Sequence, residues 1–244
     1  AWWCTMIKVP GEDLPRLSIM EKSYPGSVVV NRNGKRVANE SMNYQKYVQE
    51  CFKAQADGTP VEELWHVFDA RFRQDYLVGP LMTGKMMPDR FLPKHFFSDT
   101  FLTIADSVEQ LADKTGIDKA GLTTTIANMN EYGRTGEDKE FQRGSSAYDR
   151  YYGDPTIEPN PCLAPMEQAP YYAIRLYLGD FGTSGGLVTN SDAQVLREDG
   201  SVIEGLYATG NCSAPVLPTY PGPGATLGPA MTFAYQAAKH LNGY

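Results

Sequence analysis

The stretch that most constrains the fold of this chain runs from residue 206 to residue 241, LYATGNCSAPVLPTYPGPGATLGPAMTFAYQAAKHL. Leu206, Tyr207 and Ala208 form an apolar, partly β-favouring run, which Thr209-Gly210-Asn211 stops with a glycine suited to positive φ. From Pro218 onward, Pro221, Pro223 and Pro229 alternate with Gly222, Gly224 and Gly228. The prolines fix the backbone and the glycines let another molecule come close to it. Gly228 and Pro229 open a helix on which Ala230, Ala234, Ala237, Ala238 and Leu241 share one small-residue face, expected to pack tightly on a neighbour. A strand, a rigid loop and a helix start in that order aim the free N–H groups of the first helical turn into the loop, where they suit an electron-rich ligand group.

The 244 residues, 42% of them hydrophobic, suffice for one large or two small domains with a sizeable core. A formal net charge of −7 argues against nucleic acid or an anionic membrane as a partner, since either needs a basic face. No apolar run approaches the roughly 20 residues that span a bilayer. The start AWWCTMIKVPGEDLP lacks the charged and apolar regions of a signal peptide, so the expected location is cytoplasmic. Cys4, Cys51, Cys162 and Cys212 have no CxxC spacing and read as isolated reduced thiols. His66, His95 and His240 share no ligand spacing with them, and no metal is expected.

Taken in order, residues 26–39 read as two short strands, VVV and RVAN, joined by a turn at Arg32-Asn33-Gly34. The exit of that hairpin delivers Asn39-Glu40-Ser41-Met42-Asn43-Tyr44. Residues 47–101 are mixed and rich in aromatics, with Gly79 to Pro93 expected as a loop over a substrate pocket. Ile104, Val108, Leu111 and Ala112 recur at helical spacing up to Gly116, and Leu122, Ile126 and Met129 repeat the pattern before Gly133. Gly133 to Ser146 reads as a solvated loop, and prolines 155, 159, 161 and 165 as an extended surface connection. Tyr171 to Leu178 reads as a strand. Gly185 and Gly186 lead into a hairpin turning at Arg197-Glu198-Asp199-Gly200, and Val202-Ile203 feed the strand that ends at Ala208.

Four blocks in one order, PGSVVVNRNGKRVANESMNY (25–44), YYGDPTIEPNPCLAP (151–165), GDFGTSGGLVTNSDAQVL (179–196) and GLYATGNCSAPVLPTYPGPGATLGPAMTFAY (205–235), resemble a known family. It is that of the 3-ketosteroid dehydrogenases that introduce a double bond between carbons 1 and 2, within the fumarate-reductase-like FAD flavoproteins. The resemblance implies an α+β fold: a substrate-binding, catalytic domain over residues 1–178 and, over 179–244, the C-terminal closing part of an α/β Rossmann-like FAD domain. The GxGxxG turn that takes the pyrophosphate in such a domain is not in this sequence; GTSGG at 182–186 precedes an apolar strand and does not follow one. The chain is therefore expected to be the C-terminal portion of a larger flavoprotein, as a fragment, a cleaved product or a separate subunit. Its partner would be a complementary FAD-domain polypeptide or a missing N-terminal half.

Removing two hydrogens from adjacent saturated carbons needs donors for the developing enolate oxygen, a base and a hydride acceptor. Tyr220 offers a hydroxyl, and the loop Tyr220-Pro-Gly-Pro-Gly224 can return the Gly224 N–H to the same side. By resemblance these two hold the oxygen at carbon 3 of a steroid. A phenol, ordinarily near pKa 10, serves as a base only as phenolate or with a neighbour sharing its charge. Tyr44 matches the family's base, where fumarate-reducing relatives carry an arginine; no arginine stands here between Arg36 and Arg71. The hydride acceptor would be FAD, contacted by Ala225, Thr226 and Leu227 at its pyrimidine edge, by Gly210 and Asn211 along the ribityl chain, and by Gly185 and Gly186 at the ring edge. An external acceptor would reoxidise it. Two other readings stand beside this one: 4(5α)-desaturation or ene-type reduction on the same fold, and a catalytically silent substrate-binding module.

Overall fold

The computed structural model describes residues 1–180, 182–217 and 219–243; Pro218, which opens the proline and glycine loop, lies outside them. The chain divides into two compact units, a larger one of Cys4–Gly179 and a smaller one of Ala1–Trp3 with Asp180–Tyr244.

The larger unit is built on strands β1 (Trp3–Ile7), β2 (Arg16–Ser18), β3 (Ser27–Asn31), β4 (Leu64–Phe68), β5 (Leu102–Ala105) and β6 (Tyr171–Asp180). Its helices are α1 (Tyr44–Ala56), α2 (Ala70–Asp75), α3 (Val108–Thr115), α4 (Lys119–Thr135) and α5 (Ala147–Tyr151). The sheet runs β2-β1-β6-β4-β3, with β5 also on β6. In β3 and β4, Val28 faces Val67 and Val30 faces Trp65; these four side chains pack with Leu111, Ala112, Leu122, Ile126 and Met129 of α3 and α4. The alternate row, Val29, His66 and Ile174, turns to the opposite face, also buried. With both faces covered, LWHVF is a strand without polar alternation.

The turn at Asn33-Gly34 forms, with Asn31 N–H donating to Lys35 C=O at 2.9 Å. The second strand expected over RVAN does not: β3 pairs with β4 instead. Arg36 leaves the sheet because its guanidinium is drawn to the buried carboxylates of Glu40 and Asp138. The expected helix containing Ile104 begins later, at Val108, because Ile104 lies in β5 opposite Tyr172. α4 continues past Gly133 to a left-handed cap at Gly136. Gly133 is instead the point where the backbone of Ala164 and Pro165 crosses the helix, so close that a Cβ would lie 2.4 Å from it.

The solvated loop expected over 133–146 is also corrected, since Asp138 and Arg143 are 2% and 1% exposed and belong to an ionic cluster. The proline segment after it carries α5 and buries Asn160, Cys162, Leu163 and Met166, so it is no surface strap. Within Gly79 to Pro93, Arg73 gathers the chain by donating to the carbonyls of Met82 and Met87 and to Asp89.

In the smaller unit, β7 (Gln194–Leu196) and β8 (Val202–Tyr207) pair antiparallel, and Gly200 N–H closes the turn on Arg197 C=O at 3.0 Å. Thr209 Oγ1 ties the end of β8 to Ala230 C=O in α6 (Leu227–Leu241). No residue of α6 is buried, so the tight face expected along it is limited to its first turns; Ala234, Ala238 and Leu241 are exposed. No helix among the described residues is long and apolar enough to cross a membrane.

Candidate active site

In the smaller unit, Gly185, Gly210, Asn211, Ala225 and Thr226 line one pocket together with Trp2, Ser184 and Phe233. Its walls form because Leu187 N–H donates to Cys212 C=O at 3.0 Å and Ala214 N–H returns to Leu187 C=O at 2.8 Å, stitching two irregular segments side by side. That approach requires glycine at 186, where a Cβ would sit 1.9 Å from the Cys212 carbonyl oxygen. Gly186 thus serves the wall, and Gly185 lines the pocket. Beyond it, Ala225 N–H donates to Gly222 C=O at 3.2 Å and Gly228 N–H to Gly224 C=O at 2.8 Å, winding the loop into α6. Gly224 holds φ +91°, open to glycine and strained for other residues. The Thr226 side chain does not cap α6; in its first turn Gly228 N–H is already given to Gly224 C=O and Pro229 has no N–H. Leu227, two-thirds exposed, starts the helix and does not line the pocket.

Trp2 braces this loop. Its indole Nε1–H donates to Asn211 Oδ1 at 3.0 Å, and its ring meets the Tyr220 ring edge-on, with centroids 5.8 Å apart and planes at 75°. Sequence reasoning did not place Trp2, Ser184 or Phe233 here. Trp2 lies 209 residues from Asn211, and no local pattern links them.

Tyr44 lies in the larger unit, as the first residue of α1, and is 6% exposed. Asn43 caps that helix, its Oδ1 accepting from Lys46 N–H at 2.8 Å, so Tyr44 stands at the positive end of a helix of 13 residues. The chain before it is held by charge. Burial alone would raise the Asp138 carboxyl, but hydrogen bonds and charge from Arg36 hold it down to about 2. Burial, with Arg143 and Lys22 nearby, lowers His66 to about 3 and keeps it neutral. Burial brings the Lys22 ammonium down to about 8, against the pull of Glu21 and Glu40. No group of three or more His, Cys, Asp or Glu among the described residues could hold a metal ion.

The profile of the FAD binding domain family matches residues 10–227. The chain belongs to the FAD binding domain family. Within it, the chain is 43% identical to 3-oxosteroid 1-dehydrogenase of Mycobacterium tuberculosis (strain ATCC 25618 / H37Rv), over 99% of this chain and 42% of that protein. It is 38% identical to 4-oxocyclohexanecarboxylate 2-dehydrogenase of Sinomonas cyclohexanicum, over 100% of this chain and 42% of that protein. The crystal structure of 3-ketosteroid delta1-dehydrogenase from Sterolibacterium denitrificans, in complex with 1,4-androstadiene-3,17-dione, superposes with a TM-score of 0.93 at 44% identity, covering 99% of this chain and 43% of that one. The chain thus spans about 42% of the length of the curated relatives it matches. At this level the resemblance read from the four blocks, the flavoprotein fold and FAD as the cofactor are borne out. The pocket fits such a group: small residues and the Asn211 amide suit the edge of a planar ring system.

Proposed function

We propose that this chain supplies the catalytic part of a cytoplasmic flavoenzyme that removes two hydrogens from carbons 1 and 2 of a 3-ketosteroid. The observation that carries the reading is the likeness to 3-oxosteroid 1-dehydrogenase at 43% identity over 99% of the chain. Residues 1–178 would be the substrate-binding, catalytic domain, and residues 179–244 the closing segment of the FAD domain. The rest of that domain, with its pyrophosphate site, would come from a complementary polypeptide or an N-terminal half. Four free cysteines suit a reducing compartment.

In this reading Gly210, Asn211, Ala225 and Thr226 hold the cofactor, with Gly185 along its edge and Gly186 in the wall behind it; Leu227 starts α6 outside the pocket. When bound, FAD supplies the acceptor for the hydride that leaves carbon 1, and an external acceptor later removes the electrons. The Tyr220 hydroxyl and the Gly224 N–H donate to the ketone oxygen and stabilise the charge that builds there as the proton at carbon 2 loosens. Tyr44, the first residue of α1, takes that proton. Trp2 keeps Tyr220 and Asn211 in place.

The test is to assay the complete FAD-loaded enzyme with androst-4-ene-3,17-dione and an artificial electron acceptor. A 1,4-diene product is expected. A 4,5-desaturation from a 5α-steroid alone would move the reaction to the other bond. Exclusive turnover of 4-oxocyclohexanecarboxylate would favour the small-ring reading, which the relative from Sinomonas supports. If no ketone is turned over and the complete protein binds steroid only, the chain is a binding module.

A further inference from the structure

We infer that Asp138 and Arg143 are positioning residues for Tyr44, acting through Arg36, Glu40 and Ser41 across a buried ionic lattice. The inference rests on Tyr44 as the base. Asp138 receives the Arg36 guanidinium on both oxygens, at 2.9 and 2.8 Å. Arg36 presents its other edge to Glu40, with Nε at 2.9 Å and Nη2 at 2.7 Å from the two carboxylate oxygens. Two back-to-back bidentate pairs leave the guanidinium one orientation. Arg143, fully buried, donates to the carbonyls of Ser27, Lys22 and Tyr24 at 2.8, 3.0 and 2.8 Å, and to Ser41 Oγ at 3.2 Å. It also reaches Glu40 Oε2 at 3.4 Å. Asn39 completes the run, donating to Asp149 Oδ2 at 2.9 Å while its Oδ1 accepts Ser41 N–H at 2.8 Å.

Residues 39, 40 and 41 are therefore each fastened by a side chain to the segment 138–149, and Tyr44 begins α1 three positions later. Sequence-distant anchors set where the helix starts. A lattice of this kind is a poor way to gain stability. Removing charges from water costs several kcal/mol per ion, and well-packed apolar residues of similar volume often do as well or better. What such a lattice does supply is a single geometry, and here that geometry ends on the residue that must meet a C–H bond within a fraction of an ångström. Displacing a catalytic group by about 1 Å is enough to cost up to ~100-fold in rate.

The experiment uses the complete FAD-loaded enzyme, androst-4-ene-3,17-dione and the same steroid deuterated at carbon 2. Asp138→Asn is expected to lower kcat about tenfold per folded, flavin-loaded molecule with KM within about twofold, and to raise the deuterium isotope effect on kcat. Ser41→Ala, which removes only one hydroxyl from the lattice, is expected to give the same signature at roughly threefold and decides the matter if Asp138→Asn does not fold. A merely structural role would lower the folded fraction and leave the isotope effect alone. Unchanged kcat, or a fall in rate without a larger isotope effect, overturns the inference. Tyr44→Phe separates the two layers. If it turns over normally, the assignment of the base is wrong; if it is inactive while both lattice variants behave as wild type, only the positioning role is wrong.

Discussion

The two units differ in where they keep charge and hydrocarbon. In the larger unit, Arg36, Glu40, Asp138 and Arg143 lie at 5% exposure or less and are joined by ion pairs. In the smaller unit, Leu227, Met231, Tyr235 and Leu241 of α6 are each more than 60% exposed, and the loop before it leans on glycine backbone and one indole. The contrast teaches where each half of the proposed chemistry is vulnerable. Tyr44 is placed by a polar lattice within its own unit, so faults there show as lost rate. The flavin contact Asn211 is braced by one indole, so faults there are expected to show as lost affinity for the cofactor.

The largest test is Tyr44→Phe in the complete enzyme. Loss of a general base is expected to lower kcat by about 10²–10⁴-fold, with steroid affinity by equilibrium titration nearly unchanged. Near-normal turnover would remove the base from the larger unit and dissolve the contrast. Tyr220→Phe follows, at roughly 2 to 4 kcal/mol of transition-state stabilisation, the usual cost of one oxyanion donor. It is read from kcat/KM, and a loss below about 0.5 kcal/mol would leave the carbonyl to other donors.

How far the sequence reveals this arrangement depends on how local the cause is. The strand ending at Tyr207, the turn at Asp199-Gly200 and the helix opening at Leu227 follow from turn chemistry within a few residues, and each lies within one residue of where the pattern puts it. Five of the expected flavin contacts, Gly185, Gly210, Asn211, Ala225 and Thr226, line one pocket for the same reason. β4 was illegible because a strand buried on both faces shows no period of two, and its central His66 looks polar while carrying no charge. The lattice was illegible because Arg36 and Asp138 stand 102 residues apart, and a run of charged residues around 138 reads as solvated until its partner is known. Trp2 was illegible for the same reason at twice the distance.

Acid sharpens the contrast at a smaller scale. The Asp138 carboxyl is held at about 2 in the folded chain against 3.8 ordinarily, after hydrogen bonds and charge from Arg36 outweigh the rise that burial causes. A depressed folded value means that the unfolded chain binds the proton first. The stabilisation is therefore complete above about pH 4 and is lost as pH falls through 2. Melting of the larger unit, followed by near-ultraviolet circular dichroism, should fall across that window, and Asp138→Asn should be flatter there though less stable throughout. Equal slopes in the two proteins would mean that the carboxylate is not paired as described.

The smallest effect belongs to the other unit. Trp2→Phe keeps an aromatic edge against Tyr220 and removes only the N–H that Asn211 Oδ1 accepts at 3.0 Å. One such hydrogen bond contributes about 1 kcal/mol net, so flavin Kd in the complete enzyme should rise roughly fivefold while kcat at saturating flavin stays within about twofold. The expected split is the reverse of that for Asp138→Asn, where rate falls and binding holds. A Trp2→Phe variant that lost rate at saturating flavin would show that the loop sets catalytic geometry as the lattice does, and the division of labour between the units would fail.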